Sequence, residues 1–293
     1  MRSRLDELVA DALARGSSVP AFTCYDFTTA TAVVTAAEEV GSEVILMVAP
    51  KTAATPHGLR LISALRVLAD SATVPVAVQL DHATDLRVMT DSVAAGADSV
   101  LADGSALPYG ENVGLVLAAR DLLGPDVVLE AELGGLAGDE DRAFGADQAG
   151  VEVAGMTDPS QVSDFVTRTG AQLLAVAIGN VHGKYKGEPQ IRWDVLEDVS
   201  RRTSVPLVLH GASGIPQTEL AKASTLNVGK VNFNTELRTG ILTVLEQKLP
   251  EHRKDGENIQ GLLGLWSEAA QEFAASALAT LAARKGSAVL SAR

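Results

Sequence analysis

The chain has 293 residues, 46% hydrophobic and 21% charged, a globular composition with enough length to bury a large core. A formal net charge of −13 without a local basic run excludes nucleic acid and anionic membrane surfaces as partners. An anionic ligand would need a focused cationic pocket, which a metal ion can supply.

Met1 to Arg15 reads as an amphipathic helix, with Leu5, Leu8, Val9 and Leu13 on one side, and not as a signal peptide. No apolar run is long enough to span a bilayer, and the lone Cys24 excludes an internal disulfide, so a cytoplasmic protein is expected. Strand-like runs follow at Val19–Thr23, Glu43–Val48, Val74–Leu80, Ser99–Ala102, Val127–Glu132, Leu173–Ile178, Leu207–His210 and Lys230–Asn234. Ala-rich stretches with helical periodicity lie between them, among them Thr28–Glu39, Leu61–Ser71, Leu86–Ala95 and Val113–Leu123. Eight such repeats predict an α/β fold, a (β/α)8 TIM barrel, as one domain over residues 1–293. A doubly wound open sheet would more often stop short of eight strands, and no Rossmann glycine fingerprint follows the first strand. With only 4% aromatics, the core must be built from Ala, Val and Leu.

Two glycine-rich stretches break the rhythm, Gly134–Gly150 after strand five and Gly179–Gly187 after strand six. Loops at the C-terminal ends of barrel strands are where active sites are built. A polar insert, Pro250–Gly261, is expected before a long Ala-rich C-terminal helix.

Three of the five histidines follow or close predicted strands: His82 after VAVQLD, His182 after LLAVAIGNV and His210 in PLVLH. One such histidine would be an ordinary hydrogen-bonding residue. Three facing one barrel mouth match a catalytic zinc site, three imidazoles with an open position. Carboxylates gather at the same face: Asp81 beside His82, Asp103 after strand four, Glu132 ending strand five, and Glu140 in the glycine-rich loop. Asp103 in DGS also fits a turn cap, and Glu140 in GDED also fits solvated surface. The last two strands end in HGASG (His210–Gly214) and VNFNTEL (Val231–Leu237), which offer backbone N–H groups, the Ser213 hydroxyl, Asn232, Asn234 and Thr235. The loops after strands seven and eight are the usual phosphate site of such barrels.

The stretches QLDHATD, SVLADGSALPYGENV, LEAELGGLAGDED, AVAIGNVHGKYKGEP, LVLHGASGIP and KVNFNTEL, in that order and spacing, resemble the class II, zinc-dependent ketose-bisphosphate aldolase family. The resemblance runs from about residue 17 to 240 and points to the fructose- and tagatose-bisphosphate branch. It implies a metal-dependent lyase that releases dihydroxyacetone phosphate and an aldehyde, in a homodimer or homotetramer. By the same resemblance His82, His182 and His210 match the Zn2+ ligands, and Asp103 and Glu132 match supporting or alternative metal carboxylates. Asp81 matches the acid/base at the cleaved bond, and Glu140 the loop residue that moves the proton at the nucleophilic carbon. Gly183, Gly211, Ser213, Asn232, Asn234 and Thr235 fall on the substrate site. The backbone around Val181, Gly183, Gly211 and Ser213 resembles the family's monovalent-cation (Na+ or K+) site.

Retro-aldol cleavage generates an enediolate next to a phosphate dianion, and a cation bound by neutral histidines is suited to that charge. A Schiff-base aldolase would need a lysine facing the mouth. Lys230 begins strand eight, and Lys184 and Lys186 lie on a loop.

The chain departs from the family pattern at Gln79, where a histidine is usual, at AFTCYD in place of an FN-type motif, at Asn234, where relatives carry Asp or Ala, and at Asp139 before Glu140. These positions touch the substrate walls and leave fructose and tagatose bisphosphate both open. An aldolase acting on a deoxy-keto acid phosphate is a second reading, and a non-catalytic sugar-phosphate-binding barrel a third. Arg284 and Arg293 in the tail are candidates for the second phosphate.

Overall fold

The computed structural model describes residues 1–136, 155–183 and 189–282. Its strands are β1 (Val19–Thr23), β2 (Val44–Val48), β3 (Val76–Ala83), β4 (Ser99–Ala102), β5 (Val128–Leu133), β6 (Leu173–Val176), β7 (Leu207–Leu209) and β8 (Val228–Phe233). They pair in parallel in chain order and close with β8 against β1, forming the expected barrel. Every strand residue except His82 is buried, as a sheet covered on both faces requires.

The helices are α1 (Leu5–Ala14), α2 (Phe27–Val40), α3 (Pro50–Ala53), α4 (Pro56–Ser71), α5 (Leu86–Ala95), α6 (Tyr109–Leu123), α7 (Pro159–Thr169), α8 (Trp193–Ser200), α9 (Gln217–Leu220), α10 (Thr235–Lys254) and α11 (Ile259–Leu281). Side-chain caps start several of them. Asp26 accepts from Thr29 N at 2.9 Å, Thr55 from Gly58 N at 3.0 Å, and Asp85 from Arg87 N at 2.7 Å. Among the described residues no helix is long and apolar enough to cross a membrane.

The N-terminal end of the barrel is plugged. Leu5, Leu8, Val9 and Ala12 of α1 pack with Ala21, Ile45, Met47, Ala77, Val128, Ala175 and Val208 in one apolar cluster. Gly229 permits this docking, since a Cβ there would stand 2.3 Å from Val9 Cγ1. At the other side of the barrel wall α11 lies along α2 and α10, with Phe273 against Phe22 and Phe233 and the Trp266 indole donating to Thr29 Oγ1 at 2.9 Å.

Two boundaries differ from expectation in ways that matter. Strand β3 runs on to Ala83, so Asp81 and His82 belong to it, because its pairing with β4 shifts register between Leu80 and Ala83 and resumes beyond the irregularity. The expected insert from residue 250 is half helix: α10 continues through Pro250 to Lys254. Proline removes one N–H and its ring crowds the carbonyl four residues back, but little more than one turn follows Pro250, so the cost falls on the polar, largely exposed end of the helix.

Candidate active site

The mouth is built on the irregularity in β3. His82 sits at φ 43°, a left-handed conformation that costs a side-chain-bearing residue energy and concentrates at functional positions. The two residues at this point of the chain, Asp81 and His82, then stand at the barrel mouth, Asp81 fully buried and His82 half-buried.

His82 Nδ1 lies 2.7 Å from Asp103 Oδ2 and 3.4 Å from Glu132 Oε2, so Nδ1 carries the proton and Nε2 the lone pair. Asp103 also caps its own turn, accepting from Ser105 N at 2.9 Å. His210 is arranged the other way round. Its Nε2 is 3.0 Å from Glu130 Oε1, which leaves Nδ1 to face His82 Nε2 at 2.9 Å.

Two ring nitrogens facing each other without a proton between them repel, and a cation removes the repulsion. His182 completes the set. Its ring centroid is 4.9 Å from that of His82 and 6.1 Å from that of His210, and its Nε2 is buried without a hydrogen-bond partner. One nitrogen from each of the three rings falls within 4.8 Å of the others. Zinc with Zn–N of about 2.0–2.1 Å would set tetrahedral ligand nitrogens roughly 3.3 Å apart, so modest closure completes a site. His82, Asp103 and Glu132 form a second, overlapping group of the same kind.

The electrostatics agree with a cation here. Burial, then the neighbouring histidines, lower the pKa of His182, and burial lowers that of His210, which keeps both imidazoles in the neutral, ligating form. Burial, reinforced by Asp103, raises Glu132 well above the ordinary carboxylate range. A positive ion would reverse that penalty.

A cleft opens beside the histidines, lined by His182, Gly183, Gly211, Ser213, Asn232, Asn234 and Thr235. It joins all six residues expected at the substrate site. Gly211, at φ 59°, is needed there, because a Cβ would meet the Val181 carbonyl oxygen at 2.2 Å. Asn180 ties the same two loops, accepting from Ile178 N at 2.7 Å and donating to the His210 carbonyl at 2.7 Å. Both polar atoms of the buried Asn232 side chain lack a hydrogen-bond partner. Helix α10 begins at Thr235, and its N–H groups end at the cleft.

Nearly all of the sequence matches a known pattern: residues 3–285 fit the model of the class-II fructose-bisphosphate aldolases. The chain belongs to that family. The D-tagatose-1,6-bisphosphate aldolase subunit GatY of Klebsiella oxytoca is 41% identical over 238 residues, 81% of this chain and 82% of that one. Among solved structures, the YdjI aldolase of Escherichia coli K12 superposes with a TM-score of 0.83 at 29% identity, covering 97% of this chain and 98% of its own. A putative fructose-1,6-bisphosphate aldolase of Coccidioides immitis gives 0.84 at 27% identity, covering 95% and 96%. As a class II aldolase the chain is a lyase of carbohydrate metabolism, of a metal-dependent family acting on phosphorylated sugars.

Of the expected site residues, Asp81, His82, Asp103, Glu132, His182 and His210 meet around one point of this aldolase. Glu140, Asp139, Lys184, Lys186, Arg284 and Arg293 lie outside the described residues. The other two histidines are elsewhere, His57 exposed on α4 and His252 bonded to the Asn258 carbonyl. Sequence reasoning missed Glu130. Its signal was present: Glu130 and Glu132 are two apart on one strand and so point to the same side of the barrel wall. It also missed a rim cluster, where Asn234 Nδ2 donates to the Tyr25 hydroxyl at 3.1 Å and Arg238 lies over the Tyr25 ring at 5.8 Å.

Proposed function

We propose that this aldolase binds one Zn2+ through His82, His182 and His210 and reversibly cleaves a ketose 1,6-bisphosphate, fructose or tagatose, to dihydroxyacetone phosphate and an aldehyde. The observation that carries the reading is the set of three imidazoles converging beside a cleft of small and amide-bearing residues. When bound, the zinc supplies Lewis-acid stabilisation of negative charge on the substrate oxygens. The phosphate of the dihydroxyacetone half is read into the cleft, on Gly183, Gly211, Ser213, Asn232 and Thr235 and the first turn of α10. Asp81 takes the proton from the hydroxyl at the bond that breaks, and Glu140 returns a proton to the nucleophilic carbon. Asp103 and Glu132 hold His82 and can take part in a second metal position. The carbonyl of Val181, crowding Gly211, supports a monovalent-cation site on the same loops.

The reading takes residues 1–293 as one domain of a cytoplasmic enzyme. A homodimer or homotetramer is supported by exposed Leu242, Leu249, Ile259 and Leu263 along α10 and α11, and light scattering that gave a monomer would remove it.

A deoxy-keto acid phosphate is the second substrate reading, favoured by the Tyr25–Asn234–Arg238 cluster, which adds hydroxyl, amide and guanidinium groups to the rim next to the cleft. A coupled assay for dihydroxyacetone phosphate over both bisphosphates and a keto acid phosphate, with and without a chelator, decides. Release from a bisphosphate, abolished by EDTA and restored by zinc, is expected. Release only from the keto acid phosphate transfers the assignment to the second reading. Chelator-resistant turnover with a borohydride-trappable adduct would defeat the metal mechanism altogether.

A further inference from the structure

Below the histidines lies a layer of polar side chains that the chemistry above does not use. Gln79, Glu130 and Lys230 stand two residues before Asp81, Glu132 and Asn232 on β3, β5 and β8, one step deeper on the same inward face. All three are completely buried. Lys230 Nζ donates to Glu130 Oε2 at 2.7 Å, and Gln79 Nε2 donates to the same oxygen at 2.8 Å. The other oxygen, Oε1, faces His210 Nε2 at 3.0 Å.

A buried ion pair is weak support for stability, because desolvation offsets most of its attraction, so its retention in the centre of a barrel calls for another reason. The hydrogen bonds give one. Two donors converge on Oε2 and fix the rotation of the carboxylate. Oε1 is thereby held as an acceptor under His210, and only the imidazole tautomer with hydrogen on Nε2 can meet it. The lone pair of His210 is then on Nδ1, the nitrogen that faces His82. With the ring reversed, Cδ2–H would stand where Nδ1 does, and with the tautomer exchanged Nδ1 would carry a hydrogen; either way the third ligand would be lost. The amide of Gln79 is oriented in the same way, since its oxygen Oε1 has no hydrogen-bond partner and its nitrogen must serve Glu130.

We propose that Gln79, Glu130 and Lys230 act as positioning residues that fix which nitrogen of His210 is presented to the metal. The inference rests on the reading of His210 as a ligand. Gln79 supplies Glu130 with a donor that does not depend on protonation.

The test uses two variants of the full chain, a double variant and His210→Ala. Lys230→Met alone leaves a buried carboxylate without its cation and can fail to fold. Glu130→Gln combined with Lys230→Met replaces the ion pair by neutral side chains of similar size and should fold. A glutamine amide at 130 accepts from or donates to His210 Nε2, so both tautomers become accessible. Zinc affinity, measured by competition with a chromophoric chelator at fixed pH, should fall about 10–100-fold in the double variant, with one ion still bound per chain. Nitrogen-15 NMR of the zinc-free parent should show His210 with hydrogen on Nε2, and the double variant a mixture. A double variant that keeps both the parent affinity and the single tautomer overturns the inference. His210→Ala separates the two ideas: if it binds zinc as tightly as the parent, His210 is no ligand and it is the metal assignment that fails.

Discussion

At the scale of single residues, the site depends on where backbone and side chains are forced away from the ordinary. His82 takes a left-handed conformation inside a parallel strand, and Gly211 approaches a carbonyl that any side chain would strike. The histidines were legible in the sequence because each follows or closes an apolar strand, so that one residue type recurred at three equivalent places. Asp103 read equally well as a turn cap, and it turns out to fill both roles through its two oxygens. Glu130 and Lys230 were not legible as a pair. They are 100 residues apart, and only closure of the barrel brings β5 and β8 to opposite sides of one layer. Asp81 is the residue whose role the proposed chemistry constrains most tightly. Asp81→Asn keeps the shape of the side chain and the three imidazoles, so bound metal should be unchanged. Loss of the acid/base should lower kcat by about 10²–10⁴-fold. A kcat near that of the parent would remove Asp81 from that role.

At the scale of elements, all eight strands were visible as apolar runs, while several of their ends were not. Strand ends are decided by pairing with neighbours, which local pattern does not encode. Thus β3 extends past Leu80 because it finds β4 again at Ala83, and α10 runs on through Pro250 because nothing in its exposed final turns requires it to stop. Contacts between helices likewise emerge only from the fold. The Tyr109 hydroxyl at the start of α6 donates to Asp164 Oδ2 of α7 at 2.6 Å. Burial and then this carboxylate push the phenol up to about 12 from 10. A raised folded-state pKa means that the contribution is complete below the unfolded value and is lost as pH rises through the folded one. The gap in Tm between the parent and Tyr109→Phe should therefore be constant below pH 10 and close between pH 10 and 12. A gap that persists unchanged across that window would show that the phenol's proton is not what joins the two helices.

At the scale of the whole molecule, the barrel interior changes character from one end to the other. An apolar plug formed with α1 fills the N-terminal end, a layer with Glu130 and Lys230 crosses the middle, and the histidines and carboxylates crowd the C-terminal mouth. Helical periodicity marked the apolar face of α1 and motif order marked the mouth, whereas the docking of α1 under the barrel and the middle layer emerge only when the barrel closes. The gradient places the strained and desolvated polar groups on a rigid support, which is what a precise metal site requires. Zinc-edge X-ray absorption on the zinc-loaded protein, compared with His182→Ala, tests this most directly. Three imidazole nitrogens at about 2.0–2.1 Å in the parent, and two in the variant together with loss of chelator-sensitive cleavage, are the predicted result. Zinc coordinated without imidazole, or a spectrum unchanged by His182→Ala, would contradict the three-histidine centre.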